Sequence, residues 1–189
     1  MPKWDQERYA KRLWVLDLLD KGGVGVEVGV FRGQFSAHIC ARAKPRKLYL
    51  IDPWTLTGET FGWGKEYTSF GTLRTAVARE EAELRTALYP TVETVMIEGF
   101  FPQCANQITE TLDWAYLDSS HQYDRTLTEL AALEPMLKPD GIIAGDDWNT
   151  NPESPHYGVS QAVKEVVAQG QWELIKAGPG LQWANRRRS

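Results

Sequence analysis

The sequence predicts one doubly wound α/β domain, and three features carry that prediction. Short apolar runs alternate with helical patterns along the 189 residues, which is the signature of β and α units wound by right-handed crossovers. The runs break at glycine, proline or acidic residues, as strands do where they leave a sheet. The last two runs are joined only by Gly178-Pro179-Gly180, so they pair antiparallel, because a parallel connection needs a dozen residues or more. The expected architecture is a seven-stranded, mostly parallel sheet with an antiparallel final strand and helices on both faces. It forms a single domain over 1–189, with no internal repeat, low-complexity segment or linker.

The elements follow in order. Residues 5–20 carry Tyr9, Leu13 and Leu16 at helical spacing and stop at Lys21-Gly22-Gly23. In 24–30, Val24, Val26, Val28 and Val30 alternate with Gly25, Glu27 and Gly29, a short buried strand. A helix with Phe35, Ile39, Ala37, Ala41 and Ala43 ends before Pro45, and Lys47–Ile51 is a second strand with Asp52 at its end. Residues 53–64, with Trp54, Phe61, Trp63 and three glycines, read as a loop over a site. A charged helix over 65–88 is expected to bury Phe70, Leu73, Val77, Leu84 and Leu88 as one stripe. Strands at Val92–Ile97 and Leu112–Leu117 end in Glu98-Gly99 and in Asp118-Ser119-Ser120-His121.

A helix with Tyr123, Leu127, Leu130, Leu133 and Leu137 inward stops at the turn Lys138-Pro139-Asp140-Gly141. Ile142-Ile143-Ala144 is the fifth strand, followed by Gly145-Asp146-Asp147-Trp148. A loop over 148–158 leads to a helix with Val159, Val163, Val166 and Val167 on one face. Trp172–Ile175 and Leu181–Ala184 close the sheet.

Composition excludes several classes. Net charge is −4, and the only basic run is Arg186-Arg187-Arg188, which reads as a solvated tail; neither nucleic acid nor an anionic membrane is an expected partner. No apolar run reaches membrane-spanning length, and Met-Pro-Lys-Trp-Asp does not read as a signal peptide. Cys40 and Cys104 have no metal-like spacing and read as reduced residues, so a cytoplasmic location is expected. Of eight tryptophans, Trp54, Trp63 and Trp148 fall in loops and suit the wall of a pocket for a flat ring or a sugar face.

In open α/β sheets ligands bind outside the carboxyl ends of the strands. Gathered there are Glu27, Asp52, Glu98, Asp118 with His121, and Asp146-Asp147, beside the glycine turn after the first strand. Such a collection of like charges calls for a cation or for hydroxyl groups to answer it. A strand that breaks into glycines and feeds a helix also offers free backbone N–H groups to a ligand. Glu27 argues against a phosphate there, and the spacing Gly29…Gly33 is not the Gly-x-Gly-x-x-Gly of dinucleotide sites. A cationic, nucleoside-type cofactor fits better.

The arrangement resembles the class I S-adenosylmethionine-dependent methyltransferases, a Rossmann-like family, over about residues 22–184. The resemblance implies that Glu27-x-Gly29-x-x-x-Gly33, with Val30, Phe31 and Ser36, wraps the methionine part of S-adenosylmethionine. It implies that Asp52 accepts the ribose hydroxyls beside Trp54, that Gly99 and Phe100 flank the adenine, and that Asp118 also touches the cofactor. Asp118 with Asp146-Asp147 is similar to the metal site of catechol, caffeoyl-coenzyme A and sugar O-methyltransferases. That likeness implies Mg2+ or a similar divalent cation on Asp118, Asp146 and Asp147, orienting a substrate hydroxyl and lowering its pKa. His121 stands three residues past Asp118, where the catechol enzymes carry a lysine base, and it titrates in the right range to take a proton. Asp-x-x-His-x-Tyr before Leu-Lys-Pro-x-Gly also looks like a broad bacterial group of small methyltransferases.

The resulting expectation is O-methylation of a small-molecule hydroxyl, with His121 and Asp118 catalytic. Its rivals are metal-independent transfer with His121 or Asp118 as base, a non-catalytic cofactor-binding partner subunit, and a nicotinamide-dependent oxidoreductase. Simpler roles stand beside these: Ser119 or His121 as a helix cap, Asp146 capping its own loop, Asp147 in solvent. Arg32 either reaches the cofactor carboxylate or is solvated. His38 and His156 receive no role. Residues 53–64, 148–158 and the N-terminal helix would set specificity, and a second subunit in a homodimer is another source of a cover.

Overall fold

The computed structural model describes residues 10–62 and 72–188. Tyr9, Trp63 and Phe70, and the parts of the expected 5–20 and 65–88 helices at 5–9 and 65–71, lie outside them. Seven strands form one sheet: β1 Val24–Val28, β2 Lys47–Asp52, β3 Glu93–Glu98, β4 Leu112–Leu117, β5 Leu137–Gly145, β6 Trp172–Ala177 and β7 Trp183–Arg187. Their spatial order is β3-β2-β1-β4-β5-β7-β6. The first five run parallel, and β7 runs antiparallel to both β5 and β6. The order reverses at β1, whose neighbours are β2 and β4, so the switch point of the sheet lies at the end of β1.

Alternation along each strand sorts the core into two layers. Leu48, Leu50, Trp114 and Tyr116 face the N-terminal helical segment and helices α1 (Gln34–Arg42) and α2 (Thr75–Thr86). Val24, Val26, Val28, Ile51 and Leu117 face the other way, toward helices α3 (Tyr123–Leu133) and α4 (Tyr157–Ala168). Helices therefore cover both faces, and all five residues of β1 are buried.

Two glycines fix how the parts approach one another. Gly29, just past β1, has φ +91°, and a Cβ there would lie 1.9 Å from the carbonyl oxygen of Asp118. The ends of β1 and β4 can come this close only without a side chain. Gly33, at φ +70°, lets the start of α1 press on α2, because a Cβ would fall 2.6 Å from Cα of Ala82.

That second contact explains one correction. Of the expected apolar stripe, Leu73 is buried just before α2, but the stripe is not the helix's buried face: Val77, Leu84 and, past its end, Leu88 are 37%, 62% and 75% exposed. The helix packs instead through Thr75, Ala78, Ala82 and Thr86. A close backbone approach selects small residues over large apolar ones. Two further expectations change. Arg186 and Arg187 belong to β7, where Arg187 donates to the carbonyls of Glu134 and Leu137, so the basic run is not a free tail. The turn at Lys138–Gly141 is absorbed into β5 as an irregularity, since Leu137 pairs with Leu112 while Ile142 pairs with Trp114, and Asp140 takes φ +66°.

Gly29→Ala is expected to cost about 2–4 kcal/mol in urea unfolding, from backbone strain and clash together. Gly22→Ala, equally left-handed at φ +75° but with nothing within 4 Å, isolates the strain and should cost only about 1 kcal/mol.

Candidate active site

One cavity of about 1010 Å3 lies across the carboxyl ends of β1, β2, β4 and β5. Its first wall is Glu27 to Phe31, where the backbone turns at Gly29 and donates from Gly29 N–H to the carbonyl of Ile51 at 2.9 Å. The carboxylate of Asp52 ties this wall to the next loop. Its Oδ2 accepts the N–H of Phe31 at 2.8 Å and its Oδ1 accepts the N–H of Trp54 at 2.9 Å. Burial raises the pKa of Asp52, and these N–H donors pull it back. Gly99 and Phe100 form the facing edge.

Sequence reasoning assigned more residues to the wall than line it. Val30 and Phe31 line the cavity, whereas Gly33, Ser36 and Trp54 stand behind it. Ser36 donates its hydroxyl to the buried Glu27, and Trp54, fully buried, donates its indole N–H to the carbonyl of Phe31 at 2.8 Å. Trp148 is buried in the core outside the lining, so neither described loop tryptophan is the expected stacking surface. Phe31, Phe35, Phe61 and Phe101 supply the aromatic lining instead. Arg32 turns to α2, where it holds Glu81 at 2.7 and 2.9 Å.

The acidic residues converge as expected, and they have an internal answer that the sequence did not reveal. Arg12, 4% exposed, reaches from the N-terminal helical segment into the strand ends. Its Nη2 contacts Asp118 Oδ2 at 3.2 Å, Asp146 Oδ2, and the hydroxyl of Tyr116 at 3.2 Å. Gln182 of the loop before β7 accepts from Tyr116 at 2.6 Å and donates to the other oxygen of Asp146. Burial raises the pKa of Asp146 to about 7 with Asp118 adding to the push, although Arg12 opposes it. Glu27 rises to about 8, again through burial first, with Ser36 pulling back and Asp118 pushing further.

Oxygens of Asp118, Asp146 and Asp147 lie within 4.8 Å of one another, close enough to share an ion. Yet both oxygens of Asp146 and one of Asp118 already serve Arg12 and Gln182. A magnesium ion on these three carboxylates would have to displace a buried guanidinium, so the donor set does not fit it.

Asp147 has different company. At φ +62°, unusual for a residue with a side chain, it points Oδ2 to Nδ1 of His121 at 2.6 Å. Nδ1 of His156, from the loop before α4, lies 3.3 Å from the same oxygen. Burial is the largest single influence and works to raise the pKa of Asp147 and to lower that of His121, but their hydrogen bond and the charges around each together outweigh it, so Asp147 falls and His121 rises. His121 and Asp147 thus do more than cap or meet solvent. Ser119 does not cap α3 either, because its hydroxyl goes to the buried Glu129 at 2.7 and 2.8 Å. Burial lifts Glu129 to about 7 despite that bond.

Arg12, Gln182, His156 and Glu129 are the residues sequence reasoning missed. Glu129 left a signal as an acid on the inward side of an amphipathic helix, and His156 a weak one through its place in the 148–158 loop.

A Rossmann-like sheet with an antiparallel final strand, an acidic glycine turn at its switch point and carboxylates along its edge defines a class I methyltransferase. The family model for a methyltransferase domain matches residues 26–148, and the chain belongs to that family. No protein of curated function matches by sequence. Among solved structures it is similar to the O-methyltransferase TomG of Streptomyces achromogenes, crystallised with SAM. The identity is 17% and the TM-score 0.65, over 96% of this chain and 80% of that one. An O-methyltransferase of Bacillus cereus with SAH is 14% identical at TM-score 0.61, covering 97% and 81%. An rRNA methylase of Streptococcus thermophilus is 13% identical at 0.62, covering 96% and 95%. No helix among the described residues is long and apolar enough to cross a membrane.

Two stability measurements test this electrostatics. Arg12→Met leaves Asp118 and Asp146 uncompensated and should cost about 3–5 kcal/mol at pH 8 by urea unfolding. The cost should shrink near pH 5, where the raised pKa of Asp146 lets it take a proton. Glu129 binds its proton more tightly folded than unfolded, so it contributes a loss of stability as pH rises from about 4.5 through about 7. Between pH 5 and 8, wild type should therefore lose roughly 3 kcal/mol more than Glu129→Gln.

Proposed function

We propose that the protein transfers a methyl group from S-adenosylmethionine to a hydroxyl of a small molecule seated beside His121 and Asp147. The single observation that carries this is the cavity itself, which runs from the acidic glycine turn at one end to the Asp147–His121–His156 corner at the other. SAM and SAH in the related structures support the donor, and O-methyltransferases among them support the hydroxyl acceptor. The net charge of −4 and the acidic lining speak against RNA, although rRNA methylases share the fold.

The residues present fit that donor. Glu27 and Asp118 favour a cation, and Asp52 at the end of β2 offers acceptor oxygens to ribose hydroxyls. Gly29 to Phe31 supply the wall for the methionine part, and Gly99 with Phe100 flanks the adenine. Ser120 Oγ is buried in the lining without a hydrogen-bond partner, a group that a bound ligand would satisfy. When bound, the donor supplies a methyl group on a positively charged sulfur, ready for in-line displacement.

What the chain contributes is position and proton control. The phenylalanine lining excludes water, and the fixed walls hold donor and acceptor in line, an effect of orientation more than of covalent chemistry. His121, set by Asp147, governs the acceptor proton. Asp118 is held by Arg12 and serves the cofactor end rather than acting as a base. The protein would act in the cytoplasm, without nucleic-acid or membrane partners.

A panel of phenols, catechols and sugar hydroxyls, assayed with labelled S-adenosylmethionine, tests the reading. Turnover on at least one acceptor is expected, with His121→Ala lowering kcat by about 10²–10⁴ while S-adenosylhomocysteine still raises the melting temperature. Binding of S-adenosylhomocysteine without turnover on any acceptor would favour the non-catalytic partner subunit, and a shift with NADH alone would favour an oxidoreductase.

A further inference from the structure

With Arg12 between Asp118 and Asp146, the cation chemistry of this site moves one residue along the chain. Asp147 Oδ2, His121 Nδ1 and His156 Nδ1 lie within 4.8 Å of one another at the mouth of the cavity. The two rings stand with centroids 4.6 Å apart and tilted by 58°, so both aim nitrogens at the same carboxylate rather than stacking on each other. Asp147 Oδ2 is 2.6 Å from one nitrogen and 3.3 Å from the other. Two ligands bound to one ion at about 2.1 Å stand about 3.0–3.4 Å apart in octahedral or tetrahedral geometry. The His156 pair already has that spacing, and the His121 pair needs to open by less than 1 Å, on a ring 38% exposed.

A second observation points the same way. Nδ1 of His156 is buried and has no hydrogen-bond partner, although it lies in ion-pair reach of Asp147. Proximity is there and hydrogen-bond geometry is not. Buried polar atoms left unmatched are uncommon, and a cation between this ring nitrogen and the carboxylate would match both. Among the described residues, no other cluster outside the aspartate edge offers three such donors.

We propose that His121, Asp147 and His156 bind a divalent transition-metal ion, of the Zn2+ or Co2+ type, facing the cavity. Two imidazole nitrogens and one carboxylate oxygen suit these ions and not Mg2+, which takes oxygen ligands. Three protein ligands leave at least one position open to the cavity. An acceptor hydroxyl bound there would have its pKa lowered, so His121 would govern the acceptor proton through the ion it holds rather than as a free base. That last consequence rests on the methyl-transfer reading; the ion site does not.

The test is calorimetry on untagged, EDTA-treated protein, titrated with ZnCl2 or MgCl2 in the absence of donor and acceptor. One equivalent of Zn2+ should bind, Mg2+ should not compete, and Co2+ should give visible d–d absorption. His121→Ala and His156→Ala should each weaken Zn2+ at least tenfold, while His38→Ala leaves it unchanged. If a variant fails to fold, wild type answers: Zn2+ should protect His121 and His156, but not His38, from diethyl pyrocarbonate. Absence of stoichiometric Zn2+ binding, unchanged affinity in both histidine variants, or Mg2+ binding that depends on Asp118 would each overturn the proposal. A protein that binds Zn2+ in this way and methylates nothing would sink the methyl-transfer reading and leave the ion site standing. Full methyl transfer with no Zn2+ binding would do the reverse.

Discussion

The contact of Arg12 with Asp118 and Asp146 sets the terms for the rest of the site. Parallel strands that end at one edge bring their terminal carboxylates together, and burial there makes their mutual repulsion expensive. A guanidinium with five donors answers several of these oxygens at once, which an ammonium on a flexible stem does less well. Because Arg12 belongs to the N-terminal helical segment, that segment is part of the site's electrostatics and not merely a cover over it. Tyr116 and Gln182 extend the same network to β4 and to the loop before β7, so four parts of the fold meet on one pair of aspartates.

This constraint separates residues that look equivalent in sequence. Asp146 and Asp147 are adjacent, yet one is saturated by an arginine and an amide, and the other faces two imidazoles beside the cavity. Asp118 stands between the cavity and the charge network. The glycine wall shows a similar division: Gly29 to Phe31 and Asp52 form the surface, while Ser36 and Trp54 brace it from behind through Glu27 and the carbonyl of Phe31. A brace and a contact residue draw on the same side chains, and only position tells them apart.

Local patterns were enough for the sheet. Apolar runs, their breakers and the short last turn determine seven strands, the antiparallel last pair and the carboxyl edge where Glu27, Asp52, Asp118, Asp146 and Asp147 gather. These follow from backbone hydrogen bonding and burial periods of a few residues, which a single sequence displays. The buried face of α2 did not follow, since Val77 and Leu84 satisfy a helical stripe as well as Ala78 and Ala82 do. Helix spacing tells which residues share a face, and the close approach at Gly33 decides which face is inside.

What the sequence by itself determined is thus the class of the protein and the edge of the sheet where its chemistry must lie. The tertiary structure alone decided how the charges there are paired. Arg12 is 106 residues from Asp118, and His156 approaches Asp147 from a loop whose composition carries no ligand spacing. Pairing across such distances depends on how helices and loops dock on the sheet, and no local period records that.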